Sequence, residues 1–124
     1  LVETGGCFDM TATYEAVSAL MRTGEEFTAL LTLSDTTAIA AMKAIEDSGK
    51  KVPDDVSVIA IDGLNVSEYV SPTLTTLVQP TEEMGRESVR ILVDTLEGRG
   101  KSRHVCVETH LREGASVKRL TADE

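Results

Sequence analysis

Aromatic residues are scarce in this chain. They make up 3% of its 124 residues and include no tryptophan, so any hydrophobic core must be aliphatic. Cysteine is also rare, since only Cys7 and Cys106 occur, near opposite ends. Two such thiols favour free cysteines in a reducing, cytoplasmic compartment over a disulfide framework. The length predicts one domain at most, and no apolar run approaches the roughly 20 residues of a membrane span.

Positive charge is in short supply. The chain has 12 lysines and arginines against 21 aspartates and glutamates, and its formal net charge is -9. A surface for nucleic acid needs clustered cations that displace counterions from the phosphates. This polypeptide is therefore predicted not to bind DNA on its own.

Motifs for catalysis are missing as well. The sequence has neither a G-x-S-x-G nucleophile nor a glycine-rich phosphate loop. His104, Cys106 and His110 are potential metal ligands, but their spacing matches no structural zinc site. We therefore expect no metal, no cofactor and no enzymatic activity.

The apolar residues alternate between strand-like and helix-like patterns, which predicts an α/β fold with a parallel sheet and flanking helices. Capping residues and glycines place the ends of three helices. These helices begin after Asp9, after Ser34 or Asp35, and at Pro80, and they end at Gly24, Gly49 and Gly98. Strands are predicted at 28–33, 56–61 and 74–79, with one or two short strands between His104 and Leu111.

The stretch from Val52 to Thr76 carries the most information. Its run Val56 to Ile61 is almost entirely apolar and mostly β-branched, as in a strand covered on both faces of a parallel sheet. Asp62 follows at the carboxyl end of that strand, the edge where open α/β sheets bind ligands. Asp62 could thus bind hydroxyl groups of a ligand, or it could merely cap a turn.

Other polar and aromatic residues fall at similar strand-to-helix junctions. An aromatic face can stack on an apolar ring face, and acids and amides can fix hydroxyl directions, so these residues suit a small polyol or purine-like ligand. Each also has a structural alternative: core packing for Phe8, helix capping for Asp35 and strand surface for Gln79. The candidate ligand-binding residues are Phe8, Ser34, Asp35, Asp62 and Gln79.

The order and spacing of several short motifs resemble the effector-binding core of the lactose and galactose repressor family, which has the type I periplasmic-binding-protein fold. The resemblance runs from about residue 6 to residue 116. Its motifs are Gly6-x-Phe8, Tyr14-x-Ala16, Leu33-Ser34-Asp35, Gly49-x-x-Val52-Pro53-Asp54-Asp55-Val56-Ser57-Val58, Ile61-Asp62, Ser71-Pro72-x-Leu74-Thr75-Thr76-x-x-Gln79-Pro80, Met84-Gly85 and the segment from Leu111 to Ser116.

The resemblance implies roles for the matching positions. Phe8 stands at the place of the ligand-stacking aromatic, Asp62 at that of the hydroxyl-binding acid, and Gln79 at that of a hinge residue facing the cleft. Three positions depart from the family pattern. Ser34 replaces a common ligand-binding Asn, Gly63 replaces a frequent second Asp, and Gly114 replaces the usual Arg of the closing segment, which puts the identity of the effector in doubt.

The resemblance further implies a longer regulator with a DNA-binding helix-turn-helix segment, a first lobe, and a second lobe to which most of this chain corresponds. The chain would be an incomplete periplasmic-binding-protein-like lobe, with the helix at about 81–97 belonging to the other lobe. A homodimer is expected to form through Thr37, Met42, Leu64 and Tyr69. Two other classes stay open: a solute-binding protein of a transport system, and a small α/β enzyme or receiver-like signalling domain.

Overall fold

The protein folds as an α/β domain whose helices and strands alternate along the chain. The computed structural model describes residues 8–99 and 104–120. The elements, in chain order, are α1 (Met10–Thr23), β1 (Ala29–Leu31), α2 (Asp35–Asp47), β2 (Ser57–Asp62), a 3₁₀ helix (Asn65–Glu68), β3 (Thr75–Val78), α3 (Thr81–Leu96) and β4 (His110–Arg112).

The four strands form one sheet in the order β1-β2-β3-β4. β1 pairs with β2 and β2 pairs with β3, both in parallel, so that Leu31 lies opposite Ile59 and Asp62 opposite Val78. The parallel α/β fold with flanking helices is thereby confirmed. Because β1, β2 and β3 run the same way, their carboxyl ends meet at one edge of the sheet.

The core is aliphatic, as the shortage of aromatic residues requires. Small residues of α2 pack against the inner face of β2, since alanines let the helix approach the sheet closely, and Val17 joins them from α1. The buried hydrophobic cluster comprises Val17, Ala38, Ala41, Met42, Ala44, Ile45, Val52, Val56, Val58, Ala60 and Leu74.

The capping residues explain where the helices begin and end. The Asp9 side chain accepts the N–H of Ala12 at 2.8 Å and starts α1, and Gly24 ends it in the left-handed conformation. Ser34, rather than Asp35, is the N-cap of α2. The predicted helix boundaries are therefore confirmed within one or two residues.

Strands β1 and β3 are shorter than predicted, whereas β2 has the predicted length and lies one residue later. β1 covers Ala29–Leu31 instead of 28–33, because the chain turns into the Ser34 cap directly after the Thr32 N–H bonds to Ile59. Between His104 and Arg112, only His110–Arg112 is a strand, and residues 104–109 are irregular and mostly exposed. A short segment with so little buried surface gains little from strand pairing.

Two compact units can be distinguished. The first comprises Leu1–Val78 with Leu111–Glu124, and the second comprises Gln79–His110. None of the residues of α3, which lies in the second unit, is buried. No helix in the described part of the chain is long and apolar enough to cross a membrane.

Candidate functional site

A strained corner lies at the carboxyl end of β2. Asp62 has a backbone φ of 128°, and Gly63, which follows, has a φ of 78°. A Cβ atom on Gly63 would lie 2.7 Å from the Cα of Val78, so only glycine fits there, and an aspartate at this position could not take this conformation without moving β3. Positive φ at a residue other than glycine costs about 1–3 kcal/mol and survives where the surroundings enforce it.

Hydrogen bonds to the buried carboxylate of Asp35 hold this corner in place. Its side chain is completely buried. One carboxylate oxygen accepts the N–H of Leu64 at 2.6 Å, and the other accepts the hydroxyl of Thr76. The Thr76 oxygen in turn accepts the N–H of Gly63 at 3.2 Å. Asp35 therefore joins the start of α2 to the corner and to β3, and it exposes no surface to solvent or to a ligand.

Ser34 is also committed to the fold. It is 3% exposed, and its hydroxyl oxygen accepts the N–H of Thr37 at 3.2 Å as the N-cap of α2. The same hydroxyl shares hydrogen bonds with the hydroxyls of Thr36 and Thr37. A ligand bond from Ser34 would have to break this arrangement, whereas the longer Asn of the family pattern would extend further from the cap.

Phe8 and Gln79 occupy the remaining predicted positions. Phe8 directly precedes the Asp9 cap of α1 and is 67% exposed, so its ring is not part of the core. Gln79 directly follows β3 and is half-buried. It belongs to the second unit, where it lines a shallow concavity at the start of α3 together with Pro80, Glu82 and Arg86.

Arg112 is a residue that the sequence reasoning missed. Its guanidinium donates hydrogen bonds to the Glu68 carboxylate at 2.7 Å, to the Leu64 carbonyl at 2.8 Å and to the Ser67 hydroxyl. The partners lie 44 to 48 residues away in sequence, so no local pattern announces these contacts. Arg112 ties β4 to the segment that follows the Asp62 corner.

The glycine at position 114 has a structural reason. A Cβ there would lie 2.5 Å from the carbonyl oxygen of Thr73, so no side chain fits. The closing segment is held instead by Ser116, whose buried hydroxyl donates to the Val58 carbonyl at 2.6 Å and accepts the N–H of Thr75 at 2.8 Å. The loss of the family's arginine at this position does not leave the segment untied.

The four residues expected at a dimer contact separate into two pairs. Thr37 and Met42 are 6% and 4% exposed within the chain itself, so they offer almost no surface to a partner. Leu64 and Tyr69 are 44% and 86% exposed and flank the 3₁₀ helix. A dimer interface at these positions would therefore use the segment from Leu64 to Tyr69 and not the buried face of α2.

The ionisable groups of the described residues form no metal site, because no cluster of three histidine, cysteine or acidic side chains occurs among them. Cys106 is exposed, whereas Cys7 lies outside the described residues. Away from the corner, hydrogen bonds from Lys43 and then from Tyr14 hold the pKa of the Asp47 carboxyl below its usual value. The hydrogen bond from the Tyr14 hydroxyl to Asp47 links α1 to α2.

Asp62 thus lies at the carboxyl edge of a parallel sheet, which is where open α/β sheets bind their ligands. Comparison with known proteins agrees. Residues 6–117 match the family described as periplasmic binding protein-like domain. The chain belongs to this family and corresponds to the effector-binding domain of LacI-type transcription regulators.

Three relatives illustrate the relationship. The transcriptional regulator MalR of Clostridium butyricum is 36% identical over 108 residues, which cover 87% of this chain and 32% of MalR. The repressor MelR of Bacillus subtilis is 36% identical over 106 residues, covering 86% of this chain and 31% of MelR. The lactose operon repressor sequence of Rhizobium radiobacter is 31% identical over 109 residues, or 88% of this chain and 96% of that sequence.

Solved structures give the same result. The regulator CelR in complex with cellobiose superposes with a TM-score of 0.82 at 35% identity, covering 90% of this chain and 34% of CelR. A LacI family regulator from Arthrobacter sp. FB24 in complex with lactose has a TM-score of 0.79 at 31% identity, with 90% and 42% coverage. The lac repressor dimer bound to operator has 0.85 at 27% identity, with 90% and 39% coverage. The chain spans about a third of the length of MalR and MelR.

Proposed function

We propose that this chain forms one wall of the effector cleft of a LacI-type regulator, and that the effector is a small sugar. The observation that carries the proposal is Asp62, held on a strained corner at the carboxyl edge of the sheet. Such strain persists where function requires a side chain in one direction. The CelR and Arthrobacter structures, which contain cellobiose and lactose, favour a sugar over a nucleobase-like effector.

The proposed chemistry divides between two residues. The Asp62 carboxylate accepts hydrogen bonds from two sugar hydroxyls, each charge-assisted bond contributing about 1.5–3 kcal/mol. The exposed ring of Phe8 covers the apolar face of the sugar ring. Asp35 and Ser34 act from within the protein, by holding the corner and the start of α2.

The proposed regulation needs parts beyond this wall. A separate DNA-binding segment is required, because a chain with a net charge of -9 repels the phosphates of DNA. Closure of the cleft around the sugar would shift the affinity of that segment for its operator. The regulator would act as a homodimer, as the lac repressor structure is a dimer, with Leu64 and Tyr69 at the contact.

The alternative of a solute-binding protein in transport shares this fold. The relatives compared above are transcription regulators, and no feature of the described residues favours transport over regulation.

Titration calorimetry of the complete regulator with lactose and cellobiose tests the proposal. Asp62→Asn should weaken binding of the accepted sugar about tenfold to a hundredfold, because the charge of the acceptor is lost. Asp54→Asn is the matched control, since Asp54 is an exposed acid on the turn before β2. Unchanged affinity in Asp62→Asn would reduce Asp62 to a turn residue, and binding of neither sugar would remove the sugar assignment.

A further inference from the structure

The peptide groups on both sides of Leu64 are held by side chains from distant parts of the chain. Asp35 accepts the Leu64 N–H at 2.6 Å from the start of α2. Arg112 donates to the Leu64 carbonyl at 2.8 Å from β4. The same carbonyl accepts the N–H of Ser67 at 3.1 Å and its hydroxyl at 2.7 Å. Leu64 is therefore fixed at both of its backbone polar groups.

Arg112 does more than neutralise a neighbouring acid. It pairs with Glu68 while its other terminal nitrogen reaches Leu64 and Ser67, so one planar group spans the 3₁₀ helix from its N-cap to its last residue. The fixed fork of a guanidinium suits such multiple contacts, which a lysine could not reproduce. Its Nε atom is buried and has no acceptor among the residues that the structure describes. The three hydrogen bonds of the terminal nitrogens are thus formed although the Nε–H group has no partner among the described residues.

We propose that Arg112 is a positioning residue for effector binding, acting on Asp62 through Leu64. The inference rests on the proposed function of Asp62. The corner has positive φ at two successive residues and tends to relax unless its surroundings enforce it. The Thr76 hydroxyl accepts the Gly63 N–H, and Asp35 accepts the Leu64 N–H. Arg112 donates to the Leu64 carbonyl. Without Arg112, the Leu64 carbonyl keeps its local bonds from Ser67 but loses its bond to β4. The segment after the corner is then held less firmly, and the Asp62 carboxylate loses its fixed direction.

Amide hydrogen exchange on this chain tests the inference without any ligand. In Arg112→Met, which keeps an unbranched apolar stem but removes every donor, the Gly63 and Leu64 amides should exchange about tenfold faster by local opening. The Ala60 amide within β2 should keep its rate. Arg90→Met, which removes an exposed Arg–Glu ion pair on α3, should change neither. Equal acceleration of all amides, or none at Leu64, would overturn the inference.

Calorimetry of the complete regulator tests the coupling to the effector. With cellobiose or lactose as the probe, Arg112→Met should weaken binding about fivefold or more, and Arg112→Lys should not rescue it. In an Asp62→Asn background the same substitution should have little further effect, because its influence passes through Asp62. Equal losses in both backgrounds would mean that Arg112 is purely structural.

The two tests separate the possible failures. If neither sugar binds to the wild-type regulator, the proposed function fails, and the exchange rates alone then decide whether Arg112 positions the corner. Should Arg112→Met not fold, Glu68→Ala takes its place, since it frees one end of the guanidinium. Faster exchange at Leu64 in Glu68→Ala would support the inference, and unchanged exchange would contradict it.

Discussion

The carboxylate of Asp35 accepts the backbone N–H of Leu64 at 2.6 Å, although 29 residues separate the two in sequence. A completely buried acid thus supports the segment that follows the proposed effector-binding acid. The two aspartates have different roles. Asp35 is inside the protein and holds the corner by hydrogen bonds, whereas Asp62 is part of the corner itself. This arrangement leads to the first two predictions.

Asp35→Ala should lower the free energy of unfolding by about 3 kcal/mol or more. It removes the acceptor of two hydrogen bonds and leaves the Leu64 N–H and the Thr76 hydroxyl without their partner. Asp55→Ala is the matched control, since Asp55 is exposed and accepts one backbone N–H, that of Lys51, at 2.8 Å. It should cost about 1 kcal/mol. Urea unfolding of both variants measures the difference, and equal costs would contradict the assigned role of Asp35.

Asp62→Gly should be more stable than Asp62→Ala by about 1 kcal/mol or more. Both remove the carboxylate, but only alanine keeps a Cβ at a φ of 128°. The opposite order is expected at Glu46, an exposed position inside α2, where glycine costs about 1 kcal/mol relative to alanine. Thermal and urea unfolding of the four variants test this. An alanine variant as stable as the glycine variant would show that the corner is not strained.

Tyr69→Asp should weaken dimerisation of the complete regulator about tenfold or more, because it places a charge at the centre of the proposed contact. The ring is 86% exposed in the single chain and therefore available to a partner. Sedimentation velocity across a concentration series measures the dissociation constant. Leu33→Asp, at another exposed apolar position, is the control and should leave the dimer intact. A dimer that tolerates Tyr69→Asp would exclude this surface.

The chain alone is expected to self-associate through α3. This amphipathic helix has no buried residue, and the side chains of Met84, Leu92 and Leu96 are 40%, 58% and 77% exposed. With Ile91, they form a stripe of which about half is exposed, so covering it contributes roughly 3–6 kcal/mol, a large part of the stability of a typical domain. A second copy of the chain would cover this stripe.

Light scattering at micromolar concentration tests this expectation. The wild-type chain should scatter as a dimer or larger species, and Leu92→Gln with Leu96→Gln should shift it towards the monomer. Glu83→Gln with Arg90→Gln changes the polar face of the same helix and should have no effect. A monodisperse wild-type monomer would refute the idea.

Acid should weaken the surface contacts of Asp47, which accepts hydrogen bonds from Lys43 within α2 and from Tyr14 of α1. The hydrogen bond from Lys43, then that from Tyr14, lowers the pKa of Asp47 in the folded state below its usual value of 3.8. Stability from these contacts is therefore fully present above that value and is lost as the pH falls through the lowered pKa. Wild type and Asp47→Asn should differ in urea midpoint at pH 6 and converge in acid once Asp47 is protonated. A difference that persists in acid would assign the effect to something other than ionisation.

Much of the fold could be predicted because its signals are local. Asp9, Ser34 and Gly24 act on backbone groups within a few residues, so their types reveal where helices begin and end. The apolar run of β2 likewise reports its burial directly. The limits of β1 and of the segment after His104 were less predictable, because pairing and solvent exposure decide where a short strand stops.

The candidate site was predicted in part. The position of Asp62 at the end of a buried strand and the family of the chain were both predictable, because neighbouring residues carry these signals. Tertiary structure alone decided that Asp35 is buried beneath the corner, that Thr37 and Met42 face inwards, and that Arg112 reaches Leu64. The physical reason is that burial and long-range hydrogen bonds depend on which elements pack together, and no local pattern records the partner that a side chain will meet.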